Sequence, residues 1–484
     1  MSLFHTRRTK IVATLGPAST NPDTLLAMAK AGMDVCRLNF SHADHETHLK
    51  SLKMVRKINK DHGANLCLLQ DLQGPKIRIG DLKEPVQIKA GQVLTIRSDV
   101  KEHKGTVLPI QYETFAADVK VGDPVLIDDG KVECRVIETN SKNRVKIEVV
   151  AGDVISSRKG VNLPRTNISI PTITEKDFKD MDFAIEHGVD WVALSFVRSA
   201  DDVKLLKELI RLKNGVSKVI AKIEKPEALQ NLDAIIEASD AIMVARGDLG
   251  VEIPMEEVPA WQKRIVQKCN QAGKPVIVAT HVMESMITSP RPTRAEANDV
   301  ANALVDGADA VMLSGETSVG KYPVRTVTSM AAILESVENQ EEHIYYRNMT
   351  HIDSDESELA SAIINTACKL SQETDAAALL AMTRSGFTAL RLSRCRPKAR
   401  IYAFTNNRSL MTTMSLVWGI RVFFYDNDTS TDDTIQDVHE MLKERGLVKP
   451  GDVMINTGSM PLHEHGLTNM IKVSRVRSKG NVRN

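Results

Sequence analysis

Two apolar stretches that end in charge carry the first sign of chemistry in this chain of 484 residues. They are Val219-Ile220-Ala221-Lys222-Ile223-Glu224 and Ala241-Ile242-Met243-Val244-Ala245-Arg246-Gly247-Asp248. Short β-branched runs without a helical period read as strands buried on both faces, where a lysine or a carboxylate needs a reason. A period of two puts Lys222 and Glu224 on one face. If the strands are parallel neighbours, Glu224 and Asp248 meet at one rim, where two hard carboxylate oxygens suit Mg²⁺. Lys222 then lies beside the metal, aimed at whatever it binds. The competing reading is a plain buried ion pair, because structural charge networks resemble sites.

Bringing those ends together requires a repeating scaffold, and the chain supplies alternating strand and helix. Strands are expected at 10–15, 34–40, 65–72, 191–196, 219–224, 241–245, 275–280 and 310–314. Helices lie between them: one runs from Asn21 to a closing Gly32, one covers 44–61, and one is opened by Thr174-Glu175-Lys176-Asp177, a capping-box pattern. Eight such units suggest a (β/α)₈ TIM barrel with its active site at the strands' C-terminal ends. Those ends carry Arg37, Asn39, Asp71, Lys222, Glu224, Asp248, Thr280 and Ser314. A doubly wound open sheet is the alternative fold.

The rhythm fails after the third strand. Residues 86–154 hold short β-type runs and a type I′ hairpin signal at Asp128-Asp129-Gly130, so an inserted small β-barrel lid is expected. Beyond a polar linker at 350–358, a helix at 358–374 and strands at 376–381, 401–404, 422–425 and 453–456 describe a smaller open α/β domain. The domain plan is barrel 1–74, lid 75–163, barrel again 164–345 and C-terminal domain 346–484.

Lys and Arg number 63 against 62 Asp and Glu, a net charge of +1. That balance advertises neither nucleic acid nor a membrane as partner and leaves a small, anionic ligand as the better fit. The six cysteines (Cys36, Cys67, Cys134, Cys269, Cys368, Cys395) are widely spaced and read as buried thiols in a reducing cytoplasm. Met1 to Lys10 is basic without the apolar run of a signal peptide, and no stretch reaches membrane-spanning length. The tail at 472–483 reads as a solvated basic end, and Met411, Met414 and Leu416-Val417-Trp418 as core. His42, His45 and His48 drift round a helix by steps of three, which argues against a metal cluster.

A divalent metal on Glu224 and Asp248 with Arg37 and Lys222 beside it would clamp a phosphate-bearing substrate. Arg binds phosphate bidentately, and a buried Lys supplies a point charge where negative charge develops. Phosphoryl transfer needs chiefly such positioning and charge stabilisation, and enolate chemistry on a metal needs similar parts. Gly247 beside Asp248 would let backbone approach the ligand, or is an ordinary turn glycine.

At this point Lys10-Ile-Val-Ala-Thr-Leu-Gly-Pro-Ala-Ser19, Arg37-Leu-Asn-Phe-Ser-His42, Asp71-Leu-Gln-Gly-Pro-Lys-Ile-Arg78, Lys159-Gly-Val-Asn162 and Lys222-Ile-Glu224 come together with four later segments. These are Met243-Val-Ala-Arg-Gly-Asp-Leu-Gly-Val-Glu252, Met283-Glu-Ser-Met286, Pro292-Thr-Arg-Ala-Glu296 with Asp299-Val-Ala-Asn302, and Leu313-Ser-Gly-Glu-Thr317. In this order they closely resemble the pyruvate kinase family, motif by motif over residues 7 to about 345 and more loosely beyond. The resemblance implies phosphoryl transfer from phosphoenolpyruvate to ADP, giving pyruvate and ATP with Mg²⁺, in a cytoplasmic homotetramer. It implies that Glu224 and Asp248 hold Mg²⁺, and that Lys222 stabilises the phosphoryl in flight. Arg37, Gly247, Asp248 and Thr280 would contact phosphoenolpyruvate, with Thr280 and Ser314 on a water relay to the enolate. Asn39, Phe40, Ser41, His42, Arg78 and Lys159 would meet the nucleotide, Lys159 being delivered by lid closure.

Where many relatives hold K⁺, this chain has Asn39, Ser41, Asp71 and Leu72, and it carries Lys76 where they carry Glu. Leu72 offers only a backbone carbonyl and the Lys76 ammonium could replace the cation, so activity without K⁺ is expected. His281 replaces the usual Gln, as a neutral substitute. Thr383-Arg384-Ser385-Gly386-Phe387-Thr388 joins a strand to a helix N-terminus and resembles the family's effector loop, suited to a small phosphorylated activator, a sugar phosphate or a nucleotide. His463 and His465 lie in its partner loop. The rival functions are a metal-dependent lyase acting on pyruvate enolate, with no use for lid or nucleotide, and a catalytically silent phosphometabolite sensor, which the intact rim opposes.

Overall fold

The computed structural model describes residues 5–164, 166, 168–347, 358–427, 430–460 and 468–478. Eight strands, β1 (Lys10–Thr14), β2 (Val35–Asn39), β3 (Cys67–Asp71), β4 (Trp191–Leu194), β5 (Lys218–Ile223), β6 (Ala241–Ala245), β7 (Val276–Ala279) and β8 (Ala310–Leu313), form a closed barrel. All neighbouring pairs are parallel, β8 returning to β1. Closure excludes the open sheet. The period of two explains the core: Val12, Val35, Leu69, Ile220, Met243 and Met312 fill the interior, while Ile11, Cys36, Leu68, Ala221 and Val244 face the helices.

Helix starts follow local chemistry. Asn21 caps Pro22–Ala31 and Asp44 caps His45–His62 through side-chain oxygens, and Thr174 and Asp177 form the reciprocal box opening Glu175–Glu186. Strand ends are shorter than expected. β4 stops at Leu194 because Phe196, with φ 56°, turns the chain away.

The insertion has its own apolar core and a six-stranded sheet that includes Val93–Arg97, Pro124–Ile127, Val132–Thr139 and Arg144–Ala151. Asp128, Asp129 and Gly130 all take positive φ at its hairpin. The C-terminal unit is a five-stranded sheet ordered Ile420–Phe424, Arg400–Thr405, Ala378–Met382, Val453–Gly458, Met470–Arg475. Met470–Arg475 corrects the expectation of a solvated tail from 472: it pairs antiparallel with Val453–Gly458 and forms the sheet edge. Of the linker expected at 350–358, residues 350–357 lie outside the described residues and Glu358 already opens the helix Glu358–Glu373.

This domain closes the barrel floor. Leu416 joins the barrel's interior cluster, Trp191 Nε1 donates to Thr413 O at 3.1 Å, and Arg396 reaches Asp309 Oδ2 at 3.1 Å. Beside this contact lies a cleft of about 780 Å³, part of it open to solvent, whose lining includes Arg7, Lys10, Asp34, Arg400 and Arg421. All six cysteines are buried free thiols, and no helix among the described residues is long and apolar enough to cross a membrane.

Candidate active site

The inward rows that fill the barrel also aim its charges. Val35 is followed inward by Arg37, Leu69 by Asp71, and Ile220 by Lys222 and then Glu224, so the apolar interior gives way to charge at the C-terminal rim. There the side chains form one connected ring. Arg37 holds Asp71 Oδ2 through Nε and Nη2, each at 2.7 Å, and donates from Nη1 to Thr14 Oγ1 at 2.8 Å. Lys222 Nζ lies 3.2 Å from Asp71 Oδ1, 2.8 Å from Glu224 Oε1 and 2.7 Å from Ser195 Oγ. Ser195 donates in turn to Leu72 O at 2.7 Å, and the Phe196 N–H donates to Glu224 Oε2 at 2.6 Å.

Charge in this ring is fixed by competition between burial and neighbours. Burial opposes the Lys222 ammonium, but Asp71, Glu224 and Asp248 outweigh it and hold the amine protonated above its ordinary range. Burial likewise opposes the Asp71 carboxylate, and Lys222 and Arg37 outweigh it and lower its pKa. At Glu224 burial wins over Lys222, with Asp248 adding to it, and the pKa rises. Glu224 Oε1 touches Lys222 Nζ without hydrogen-bond alignment, so it is a buried oxygen with spare capacity. That orphan oxygen, with the half-buried Asp248 carboxylate near enough to act on it, fits a hard divalent cation. No group of three His, Cys, Asp or Glu suited to a metal occurs among the described residues, so such an ion would draw its other ligands from substrate and water.

β6 turns directly into the helix Arg246–Glu252, which puts the Gly247 N–H and the Asp248 carboxylate in its first turn. Arg246 forks onto Asp299 with two 2.7 Å bonds and donates to Thr280 O at 2.8 Å, pinning this turn to the end of β7. Thr280 itself sits at φ 65°, a costly region for a β-branched residue. It is held there by the Gly247 N–H, which donates to Oγ1 at 2.6 Å. A Cβ on Gly247 would meet Thr280 Oγ1 at 3.2 Å and His281 Cε1 at 3.3 Å, so close approach and not turn geometry favours glycine. The Ser314 Oγ is buried without a hydrogen bond, and its N–H donates to Glu316 Oε2 at 2.7 Å.

Comparison with known proteins shows the family. A family model described as pyruvate kinase, barrel domain, matches residues 6–327, and one described as pyruvate kinase, alpha/beta domain, matches 361–474. The pyruvate kinase of Mycobacterium intracellulare is 45% identical over 97% of this chain and 98% of its own length. That of Corynebacterium glutamicum is 43% identical over 96% and 97%. The chain belongs to the pyruvate kinase family. A crystal structure of a pyruvate kinase from Cryptosporidium parvum matches the whole architecture, with TM-score 0.91 and 35% identity over 97% of this chain and 96% of that one.

Around this pyruvate kinase rim the remaining expected residues divide. Asn39 Oδ1 accepts the Ser41 N–H at 3.1 Å. His42 has its pKa lowered by burial first, then by Arg78, Lys76 and Arg37, which gathers these cations at one edge. The Phe40 ring is buried and stacked on His48 at 4.1 Å, and its carbonyl accepts from Lys176 at 2.7 Å. Lys159 is held within the lid by Asp128 at 2.9 Å. His281 is a mostly exposed side chain 3.8 Å from Glu284.

In the C-terminal domain the Gly386 N–H donates to Thr383 Oγ1 at 2.9 Å, the Phe387 N–H reaches Ser385 Oγ at 3.4 Å, and Thr388 Oγ1 is buried against Thr468 Oγ1 at 2.7 Å. Arg384 offers its carbonyl to Asn407 at 3.5 Å. His463 and His465 lie outside the described residues. The sequence reading missed Ser195, Thr14 and the Arg246–Asp299 fork. Ser195 could have been found by the strand-end rule that found its neighbours, whereas the fork joins residues 53 apart and carries no local signal.

Proposed function

We propose that this chain, as a pyruvate kinase, transfers the phosphoryl group of phosphoenolpyruvate to ADP in the final step of glycolysis, and that Lys222 is its principal charge stabiliser. The P–O bond to the enol oxygen breaks, a terminal phosphate oxygen of ADP takes the phosphoryl, and the enolate accepts a proton at carbon to give pyruvate. The observation that carries the residue roles is Lys222 Nζ, buried, charged and within 3.2 Å of both Asp71 and Glu224 on the rim. Held so, the ammonium meets developing negative charge without having to reorganise.

Glu224 and Asp248 would hold Mg²⁺, which supplies positive charge to the phosphoryl oxygens when bound. Arg37, oriented by Asp71 and Thr14, would bind the substrate phosphate, and the Gly247 turn its other oxygens. Thr280, an aliphatic alcohol whose hydroxyl already donates to Ala279 O at 2.7 Å, is a poor acid. With Ser314 it would order water on the face where the enolate is protonated. Asn39, Ser41, His42 and Arg78 would meet the nucleotide, and Lys159 would join them when the lid closes. Buried free cysteines accord with a reducing cytoplasm.

Pyruvate formation from phosphoenolpyruvate and Mg²⁺, with and without ADP, tests this in wild type and Lys222→Met. ADP-dependent turnover should fall by roughly 10²–10³-fold or more in the variant with substrate binding kept. Turnover without ADP would indicate a lyase or phosphatase, and an unaffected variant would refute the role of Lys222.

A further inference from the structure

Both crossings between barrel and lid pass one buried cluster. The outgoing chain leaves at Gly74, where φ is 66° and an added Cβ would lie 2.9 Å from Phe196 Cδ2. The returning chain comes back through Val161–Asn162, and Asn162 Nδ2 donates to Glu252 Oε1 at 2.9 Å. The same oxygen takes Lys225 Nζ at 2.8 Å, both side chains being buried. Lys225 also lies 5.9 Å from the centroid of the Phe196 ring. Glu252 Oε2 is buried without a hydrogen bond, so this carboxylate is not optimised for stability alone.

The connections of this cluster point inward. Lys225 directly follows Glu224, and Glu252 ends the helix whose first turn carries Gly247 and Asp248. Phe196, beneath the outgoing crossing, donates its N–H to Glu224. Lys225 and Glu252 therefore bridge the two segments bearing the rim carboxylates, and Asn162 adds the lid to that bridge. A cleft of about 510 Å³, part of it open solvent, is lined by Lys76, Asn162, Phe196, Lys225 and Glu252, which leaves room for the crossing to shift.

We propose that Lys225, Glu252 and Asn162 form a hinge latch that couples lid position to the spacing of Glu224 and Asp248. Lys225 and Glu252 are positioning residues, and Asn162 is the lid's releasable arm. The inference rests on the site reading above. A neutral amide bond is weaker than the charged pair it shares an oxygen with, so lid motion breaks Asn162–Glu252 first and leaves Lys225–Glu252 closed. With Asn162 engaged, as it is here, the lid is tied to the two segments that bear the carboxylates, and a lid motion that breaks this bond leaves those segments joined by Lys225–Glu252 alone.

The test uses the full chain and two readouts. Amide hydrogen exchange over 75–163, measured without substrate or metal, should rise in Asn162→Ala and rise further in Asn162→Asp, where a carboxylate faces Glu252. Asn162→Gln, which keeps the amide, should stay near wild type and serves the comparison with Asp if the Ala variant does not fold. In kinetics Asn162→Ala should raise KM for ADP about fivefold or more with kcat within about twofold. Glu252→Gln, which strands the Lys225 charge, should raise the Mg²⁺ concentration for half-maximal rate by about tenfold. Wild-type exchange and wild-type KM in both Asn162→Ala and Asn162→Asp, with Lys222→Met inactive, would overturn the latch and leave the site reading intact. An active Lys222→Met would overturn the site reading, and the exchange data would still decide the latch.

Discussion

Asp71 is the residue on which the rim turns, because its two oxygens are divided between two cations. Oδ2 is taken by Arg37 and Oδ1 faces Lys222, so little of its charge is left for a third. Leu72 O already accepts from Ser195, and Asn39 Oδ1 from the Ser41 N–H. A weakly bound monovalent ion at Asn39, Ser41, Asp71 and Leu72 would find the oxygens of Asn39, Asp71 and Leu72 already engaged. Lys76, whose charge acts on His42 together with those of Arg78 and Arg37, would supply positive charge to this edge instead. K⁺ is therefore expected to be dispensable. Equal initial rates in K⁺ and in a bulky inert cation would bear this out, and a large drop without K⁺ would refute it.

At the scale of elements, short helices at strand ends do the positioning. Arg246–Glu252 begins where β6 ends, which turns one backbone N–H and one carboxylate toward the rim. The Arg246 fork on Asp299 anchors it from a different helix, Arg294–Asp306, itself opened by a Thr293–Glu296 capping box. The loop at 383–388 makes a comparable junction from Ala378–Met382 to Phe387–Arg394, but its hydroxyls are partly used internally: Thr383 accepts from Gly386 and Thr388 faces Thr468. An activator there would exchange these local bonds for phosphate oxygens at the helix start. Sugar phosphates and nucleotides are expected to shift phosphoenolpyruvate saturation to lower concentration. Superimposable curves with and without them would end that reading.

Across the whole molecule, the C-terminal domain is fastened to the barrel floor while the rim stays open. Lys10 lies in that seam, donating to Ile420 O at 2.9 Å. Burial first, opposed by Asp34, brings its amine down from 10.5 to about 8. A depressed lysine destabilises the fold while it is charged, and the penalty is full below the folded value and vanishes toward the unfolded one. Its contribution to stability therefore improves between about pH 8 and 10.5, by on the order of 3 kcal/mol at most. Thermal midpoints over that range should favour Lys10→Met at the lower pH, with the gap to wild type narrowing as pH rises; parallel curves would contradict it. The homotetramer expected from the family is checked by sedimentation, where a mass of one chain would rule it out.

The sequence by itself determined the strand-and-helix rhythm, the interior rows and the identities of Arg37, Asp71, Lys222, Glu224 and Asp248, because a period of two and the reversal from apolar to charged are local properties. It also carried the resemblance to the pyruvate kinases, motif by motif. Only the tertiary structure decided which oxygens these charges share, since a ring drawn from β2, β3 and β5 depends on barrel closure and stagger. For the same reason Phe40 was withdrawn into the core, Ser195 was added to Lys222, and Met470–Arg475 became a sheet edge instead of a free tail. Each depends on a partner far along the chain, and burial and pairing at that distance leave no mark in local composition.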